Sequence, residues 1–485
     1  MKATSNWAEM HARFRPDAEA ILDVERDVRL TWRQVYDGSL RWAAWLRRRG
    51  VRAGDRVAVL SHNRADTLLL LFACAELGAI LFPMNWRLSP EELSWQLGHC
   101  EPAVLLVDES HRDAVRHERH ALDDGPGDER TDGPGSELSA PWQLMYTSGS
   151  TGRPKGALLT HAQLHWNALN TVLACDLTPD DATLTFTPLF HTGGMNSLTT
   201  PLLHRGGRVV LTKGVDVPQA LKLIPQERIS LLMGVPTIFQ MLADHPDFAA
   251  ADLTSVRDAL CGGQALPLPL LERYLARGIP LRQGFGMTEV GPNCFSMPHA
   301  RVREKLGTVG MPIHHVAARV VRADGAPCGV DEAGELCFRG PAVFGGYFRD
   351  PEATAKCLDA DGWFHTGDVL SIDADGFFSV RGRIKEMYKS GGENVYPAEV
   401  EAAIQEHEAV AHAAVIGVPD ERWGEVGHAY VEPRPGSEVD AAALLAFLQG
   451  RLARFKQPKQ VTVMTALPRT ASGKIDKVAL KAGPG

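Results

Sequence analysis

Between Tyr146 and Gly156 the chain reads YTSGSTGRPKG, in which three glycines and five hydroxyl side chains (Tyr146, Thr147, Ser148, Ser150, Thr151) accompany Lys155. Glycines leave backbone N–H groups accessible, hydroxyls add donors and the lysine adds charge, so this stretch is suited to surround a polyanion. At an effective dielectric of about 20, one charge pair near 4 Å contributes roughly 4 kcal/mol before desolvation is subtracted. A few such donors can therefore hold a triphosphate. The Walker pattern GxxxxGK[ST] is absent, because Pro154 precedes Lys155 and Gly156 follows it, which disfavours a P-loop nucleotidase. A flexible Gly/Ser linker would not carry this ordered run of hydroxyls, glycines, proline and lysine. Thr147, Ser148, Gly149, Ser150, Thr151, Gly152 and Lys155 are the candidate phosphate ligands.

Six further motifs follow: TPLFHTGG (187–194), CGGQAL (261–266), GFGMTE (284–289), WFHTGD (363–368), GRIKEMYKSGGENVYPAEVE (382–401) and PRTASGKIDK (468–477). With the loop, they resemble the AMP-forming adenylating superfamily of acyl-CoA synthetases, peptide-synthetase adenylation domains and luciferases, in the family's order and over nearly the whole chain. The pattern is most similar to bacterial fatty-acid or aryl-acid CoA ligases. The resemblance implies an ATP-dependent acid:CoA ligase that forms an acyl adenylate and pyrophosphate, then an acyl-CoA thioester and AMP. It also leaves open an enzyme that delivers its adenylate to a carrier protein, and a non-catalytic nucleotide or acyl sensor.

By the same resemblance, Gly262, Gly263 and Gln264 edge the adenine and Phe285 stacks on it, where tyrosine is commoner. Thr288 touches phosphate and Glu289 ligates magnesium, a hard cation that takes oxygen ligands. Asp368 accepts the ribose hydroxyls, and Arg383 contacts ribose and phosphate. Lys474 neutralises charge as the substrate carboxylate meets the α-phosphate, an electrostatic mechanism that needs no protein nucleophile. Lys385 is the hinge about which a C-terminal domain rotates between two half-reactions. Ser390, Gly391 and Gly392 then line the path of the pantetheine arm, with Trp423, Phe455, Lys459 and Arg87 on the CoA nucleotide. Gln457 stands where an arginine can occur.

The acyl group is assigned to His191, Met195, Val235, Gly286 and Met287, with His191 as a gate. Lys474, His191 and Thr288 are thus the candidate catalytic residues, and ATP, magnesium and CoA the cofactors. The stretches 187–200 and 231–241 contain no Arg or Lys, so a dicarboxylate would leave its second charge unpaired there. An apolar acid, fatty or aryl, is expected. The pocket stretches show no aspartate to capture an α-amino group and no carrier domain follows, which argues for free CoA rather than a peptide synthetase.

The elements that must position these residues alternate. From Thr31 to Asp108, helical patterns alternate with apolar runs at 56–60, 79–83 and 103–107, the signature of parallel strands with crossover helices. The apolar stretch Thr67–Pro83 contains Glu76 and reads as a buried helix followed by a strand rather than a membrane span. The charged tract 111–139 reads as a solvated loop. A second α/β region runs from Trp142 to about Arg301, and a small β module spans about 307–380. The fold class is therefore α/β: two α/β subdomains plus a β module (1–384), then a smaller mobile α+β domain (385–485).

With 485 residues, more than one domain is expected. The net charge of −8 provides no field to attract nucleic acid or anionic membrane. Eight scattered cysteines form no CxxC pair, and the N-terminus lacks a signal-peptide pattern, so reduced thiols and cytoplasmic residence are expected. The partners are a carboxylic acid, ATP and CoA, with no nucleic acid and no integral membrane segment. A homodimer is compatible with the sequence.

Overall fold

The computed structural model describes residues 6–131, 133, 135–147, 154–263, 265–391, 393–470 and 474–482. The chain divides into two compact units: Met1–Ala318 with Phe338–Phe364, and Arg319–Cys337 with His365–Gly485.

In the first unit, β1 (Glu19–Asp23) and β2 (Val28–Thr31) form a hairpin, followed by β3 (Arg56–Leu60), β4 (Ile80–Pro83), β5 (Val104–Val107) and the short β6 (His120–Ala121). The antiparallel pair β7 (Pro141–Thr147) and β8 (Lys155–Thr160) comes next, then β9 (Ala182–Thr185), β10 (Arg208–Leu211), β11 (Leu231–Gly234), β12 (Asp258–Cys261) and β13 (Leu281–Gln283). A six-stranded sheet has the order β6-β5-β3-β4-β7-β8, and a seven-stranded sheet the order β13-β12-β11-β9-β10-β1-β2. Val57–Leu60, Ile80–Pro83 and Val104–Val107 are buried throughout, as parallel strands covered on both faces require. Helix Ala65–Leu77 is apolar nearly all round and buried at every residue except Asp66, and Gly78 ends it in the left-handed region (φ 69°). Its buried acid, Glu76, is satisfied by Asn6 Nδ2 and by the Gly133 N–H at 3.3 Å.

Two expectations change. The 111–139 tract is fastened rather than loose: β6 pairs with β5, Leu122 is buried, Arg130 pairs with Asp37 at 2.8 Å, and Ser136 Oγ donates to the Ala75 carbonyl at 2.8 Å. Its charges find fixed partners on the flanking helices, which composition does not reveal. The two α/β regions also exchange strands. The first strands after Trp142, β7 and β8, complete the first sheet, while the N-terminal hairpin β1–β2 joins the second through β10. Between β12 and β13, Asp258 and Arg282 form a fully buried ion pair (Nε to Oδ1 2.8 Å) that His299 and Ser296 also touch. The desolvated pair locks these neighbours in register, since either charge alone would be stranded in the core.

A small sheet follows, β14 (Phe285–Met287), β15 (Gly291–Ser296) and β16 (Met311–Pro312). The second unit carries a four-stranded sheet ordered β17 (Ala317–Val321), β18 (Gly334–Arg339), β19 (Phe364–Ile372), β20 (Phe378–Arg383). Beyond a turn come β21 (Tyr388–Ser390), β22 (Glu393–Val395), β23 (Val410–Asp420), β24 (Gly424–Pro433) and β25 (Gln460–Val463), in one five-stranded sheet. Helices Pro397–Gln405 and Ala441–Leu448 flank this sheet, with Val400, Ile404, Leu444 and Leu448 buried in the same apolar cluster as Val415 and Val431.

Candidate nucleotide and acyl site

The parallel strands β9, β11, β12 and β13 are neighbours, and their carboxyl ends are level: Gly234 lies opposite Cys261, and Cys261 opposite Gln283. The Gly262 N–H donates to the Gly234 carbonyl (3.1 Å) and the Gly284 N–H to the Cys261 carbonyl (2.9 Å), so the chain leaves all three strands at one edge. Val235, Gly262–Gly263 and Phe285 emerge there, and the segment leading to His191 continues from β9. The carboxyl edge of a parallel sheet is where α/β proteins bind ligands. Here it gathers the adenine and acyl candidates.

Phe285 packs edge-on against Phe295 (5.8 Å between ring centroids). Gly286 is required by close packing: a Cβ there would lie 2.2 Å from the Pro292 backbone. His191 is exposed and caps a short helix, its Nδ1 accepting the Gly193 N–H at 3.0 Å, which leaves Nε2 to carry the proton of the neutral ring. Met195 is fully buried and opens a π-helical turn, Met195–Thr199. That wide turn frees carbonyls that side-chain amides recover: Asn167 Nδ2 donates to the Asn196 carbonyl and Asn293 Nδ2 to the Ser197 carbonyl, both at 2.8 Å. These two asparagines carry no motif by which the sequence would single them out.

The loop at 146–156 closes the β7–β8 hairpin, with Thr147 paired to Lys155, rather than joining a strand to a helix as a P-loop does. Ser148, Gly149, Ser150, Thr151 and Gly152 lie outside the described residues, as do Gln264 and Gly392. β8 continues into contact with the 346–348 segment: the Phe348 N–H donates to the Gly156 carbonyl (2.7 Å) and the Leu158 N–H to the Gly346 carbonyl (3.0 Å). This pairing sets the Tyr347 ring 5.0 Å from Lys155 Nζ, while its hydroxyl donates to Glu289 Oε1 at 2.8 Å. Burial and the Glu289 charge push the Tyr347 phenol well above its ordinary range, so it remains a donor. Tyr347 thus joins the loop lysine to the candidate magnesium carboxylate. No sequence reading above singles it out. Thr288 and Glu289 are both buried, their carbonyls held by Gln163 Nε2 (3.3 Å) and the Phe344 N–H (2.7 Å).

In the second unit, Asp368 on β19 sits opposite Arg383 on β20, and Arg383 Nε donates to Asp368 Oδ1 at 2.7 Å. Burial raises the Asp368 carboxyl above its usual value, against the opposing pull of Arg383 and Lys474. Lys474 is exposed at a loop closed by the Thr470 N–H donating to the Lys474 carbonyl (2.7 Å). Lys477 secures this loop through Glu386 (2.7 Å) and Glu401 (2.8 Å). Lys385 is exposed in the turn from β20 to β21.

Ser390, Gly391, Trp423 and Lys459 are brought together. Ser390 bridges to Gly424, the Gly391 N–H donates to the Trp423 carbonyl (2.9 Å), and Lys459 Nζ lies 5.8 Å from the indole centroid. Gly391 has φ 61°, and a Cβ there would meet Trp423 Cε3 at 2.9 Å. Phe455 instead packs against the apolar cluster of this unit, and Arg87, in the first unit, stacks over Trp86 at 4.9 Å.

The adenine and acyl candidates at the carboxyl ends of parallel strands, a glycine- and hydroxyl-rich loop between paired strands, and an Asp–Arg pair in the second unit agree with an adenylate-forming enzyme. The chain belongs to the family of AMP-binding enzymes: that family matches residues 8–348, and the AMP-binding enzyme C-terminal domain matches residues 399–474. It is an AMP-forming acid:CoA ligase, using ATP, magnesium and CoA to turn a carboxylic acid into an acyl adenylate and then an acyl-CoA.

Among its relatives, a feruloyl-CoA synthase of Amycolatopsis sp is 43% identical over 97% of both chains. An indoleacetate–CoA ligase of Aromatoleum aromaticum is 40% identical over 98% of this chain and 96% of the relative. The o-succinylbenzoate CoA synthetase of Bacillus subtilis, solved with its acyl-adenylate intermediate, superposes with a TM-score of 0.89 at 33% identity, covering 98% of each chain. Among the described residues, no helix is long and apolar enough to cross a membrane.

Proposed function

We propose that the acid carries an apolar aromatic acyl group, and that free CoA is the acceptor. The supporting observation is the segment running from the carboxyl ends of β9 and β11, 187–200 and 231–241, which contains no Lys or Arg to pair a second carboxylate. The feruloyl and indoleacetate specificities of two relatives point the same way.

In this reading, a carboxylate oxygen attacks the α-phosphorus, the bond to the β-phosphate breaks and pyrophosphate leaves. Phe285 stacks on the adenine, Gly262 and Gly263 edge it, and the 147–155 loop holds the phosphates. Asp368 holds the ribose with Arg383 beside it, and Lys474 supplies positive charge where two anions meet. In the second step the CoA sulfur attacks the acyl carbonyl, its thiol proton is lost and AMP departs. His191, with Nδ1 committed to its helix cap, can present Nε2–H towards the acyl side.

Glu289 suits magnesium: it is a buried carboxylate, held by the Tyr347 hydroxyl, and a hard cation takes oxygen ligands. When bound, the cation neutralises phosphate charge. Tyr347→Phe is expected to raise the magnesium concentration for half-maximal activation about tenfold, as loss of a partner to a metal ligand does. A change confined to the acid's KM would contradict this role for Tyr347.

The raised Asp368 carboxyl implies a pH dependence. The ribose needs the carboxylate, and a raised value means the free protein takes up a proton at higher pH than an ordinary aspartate. AMP affinity should therefore be full near neutrality and fall as pH drops, beginning at a higher pH than an ordinary aspartate would give. Calorimetric titration of AMP from pH 7 downwards checks it, and Asp368→Asn should weaken binding and flatten the profile; a wild-type profile no different from that of Asp368→Asn would contradict it.

The decisive experiment supplies aryl, arylalkenoic and saturated fatty acids with ATP, magnesium and CoA. Thioesters of the aromatic acids are expected. AMP release without thioester would remove CoA as acceptor, and preference for fatty acids would remove the aromatic assignment. Reduced cysteines and a modest net negative charge support cytoplasmic residence and no nucleic-acid partner.

A further inference from the structure

On β18, Glu335 and Cys337 are two residues apart and so share one face of the strand, and His365 lies on β19 beside it. His365 Nδ1 is 3.4 Å from Cys337 Sγ and 2.9 Å from Glu335 Oε2, and one ligand atom from each residue lies within 4.8 Å of the others. Both contacts fall on the same ring nitrogen. A nucleophile relay would use opposite nitrogens, one towards the thiol and one towards the carboxylate; here three ligand atoms converge on a point instead. Zinc bonds of about 2.0–2.3 Å at tetrahedral angles separate ligand atoms by about 3.3–3.7 Å. The two contacts to His365 Nδ1, 3.4 Å and 2.9 Å, lie within or close to that range. Glu335 and His365 are half-buried, so a cation can reach the cluster from solvent.

We propose that Glu335, Cys337 and His365 form a site for a thiophilic divalent cation of the zinc or cobalt class, separate from the magnesium carboxylate. Binding replaces the Cys337 S–H proton, which is released to solvent, with a metal–sulfur bond, while neutral His365 and Glu335 Oε2 donate the other two. Magnesium, which demands oxygen ligands, does not compete for a thiolate.

The site is tied to the loop that carries Asp368. Glu335 Oε1 accepts the Gly367 N–H at 3.0 Å, Thr366 Oγ1 donates to the Leu336 carbonyl at 2.8 Å, and the Asp368 N–H donates to Thr366 Oγ1 at 3.0 Å. A cation on Oε2 withdraws charge from the carboxylate that holds Gly367, and so loosens the turn presenting Asp368. Occupancy by zinc therefore weakens nucleotide binding. This second part alone rests on Asp368 as the ribose residue.

The test titrates the full chain with cobalt(II) in excess magnesium and a non-thiol reductant. One equivalent should produce a thiolate-to-cobalt charge-transfer band that Cys337→Ser abolishes and Cys328→Ser, which removes another thiol, leaves intact. His365→Gln and Glu335→Gln should each weaken cobalt binding at least about tenfold. No band in the wild type, or a band that survives Cys337→Ser, overturns the site. For the coupling, AMP affinity of the wild type should fall several-fold with one equivalent of zinc and stay unchanged in His365→Gln. An unchanged wild-type AMP affinity, with the cobalt band present, overturns the coupling and leaves the site standing.

Discussion

Lys474→Ala is expected to lower acid-dependent ATP–pyrophosphate exchange by a factor of about 10²–10³, the usual cost of removing one preorganised charge donor from a developing anion. Acyl transfer to CoA from a supplied acyl adenylate should survive within a few-fold, because that step no longer brings carboxylate and phosphate together. The loop supports a local effect. Thr470 and Lys474 close it by a main-chain bond of 2.7 Å, and Lys477 forms ion pairs with Glu386 and Glu401. Truncating Lys474 therefore removes charge while those anchors remain. Lys474→Arg should recover part of the exchange. Wild-type exchange in the alanine variant would refute the role.

Lys385→Pro is expected to do the reverse. Lys385 is exposed in the turn between β20 and β21, where the Glu386 N–H donates to the Arg383 carbonyl at 3.1 Å. Proline fixes φ near −65° and removes torsional freedom from the one turn that a rotation between half-reactions would use. Adenylation should stay within about twofold of wild type, while thioester formation falls about a hundredfold or more. Lys385→Ala, which removes the charge and keeps the freedom, should retain both. Equal loss of both half-reactions in the proline variant would mark a folding defect and sink the hinge assignment.

Many of the candidate residues stand out in the sequence because they lie in stretches with a distinctive local backbone chemistry. A glycine- and hydroxyl-rich loop, a Gly-Gly strand end and a Thr-Gly-Asp turn each announce a ligand-facing backbone by composition. The pairs Asp368–Arg383 and Gly391–Trp423 then meet across a strand pairing and a close glycine contact. Tyr347 was not legible. Its importance comes from β8 pairing with the 346–348 segment, nearly two hundred residues later, and an isolated tyrosine carries no sign of which carboxylate its hydroxyl will find. Glu335, Cys337 and His365 were missed for the same reason. The absence of a CxxC pair speaks only of ligands adjacent in sequence, whereas a sheet collects side chains from neighbouring strands.

By itself the sequence determined which segments become buried parallel strands, that the stretch 67–83 is a buried helix followed by a strand, and the motif order that implies adenylation. These depend on periodicity, runs of apolar side chains and turn chemistry, all encoded within a few residues. Only the tertiary structure decided that the hairpin β1–β2 lies in the second sheet and that the phosphate loop closes a hairpin of the first. An apolar strand specifies that both faces must be covered, but nearly any similar strand can supply its ladder hydrogen bonds. The choice among them is made by packing of helices and by long-range pairs such as Asp258–Arg282, whose energy exists only once both strands are in place.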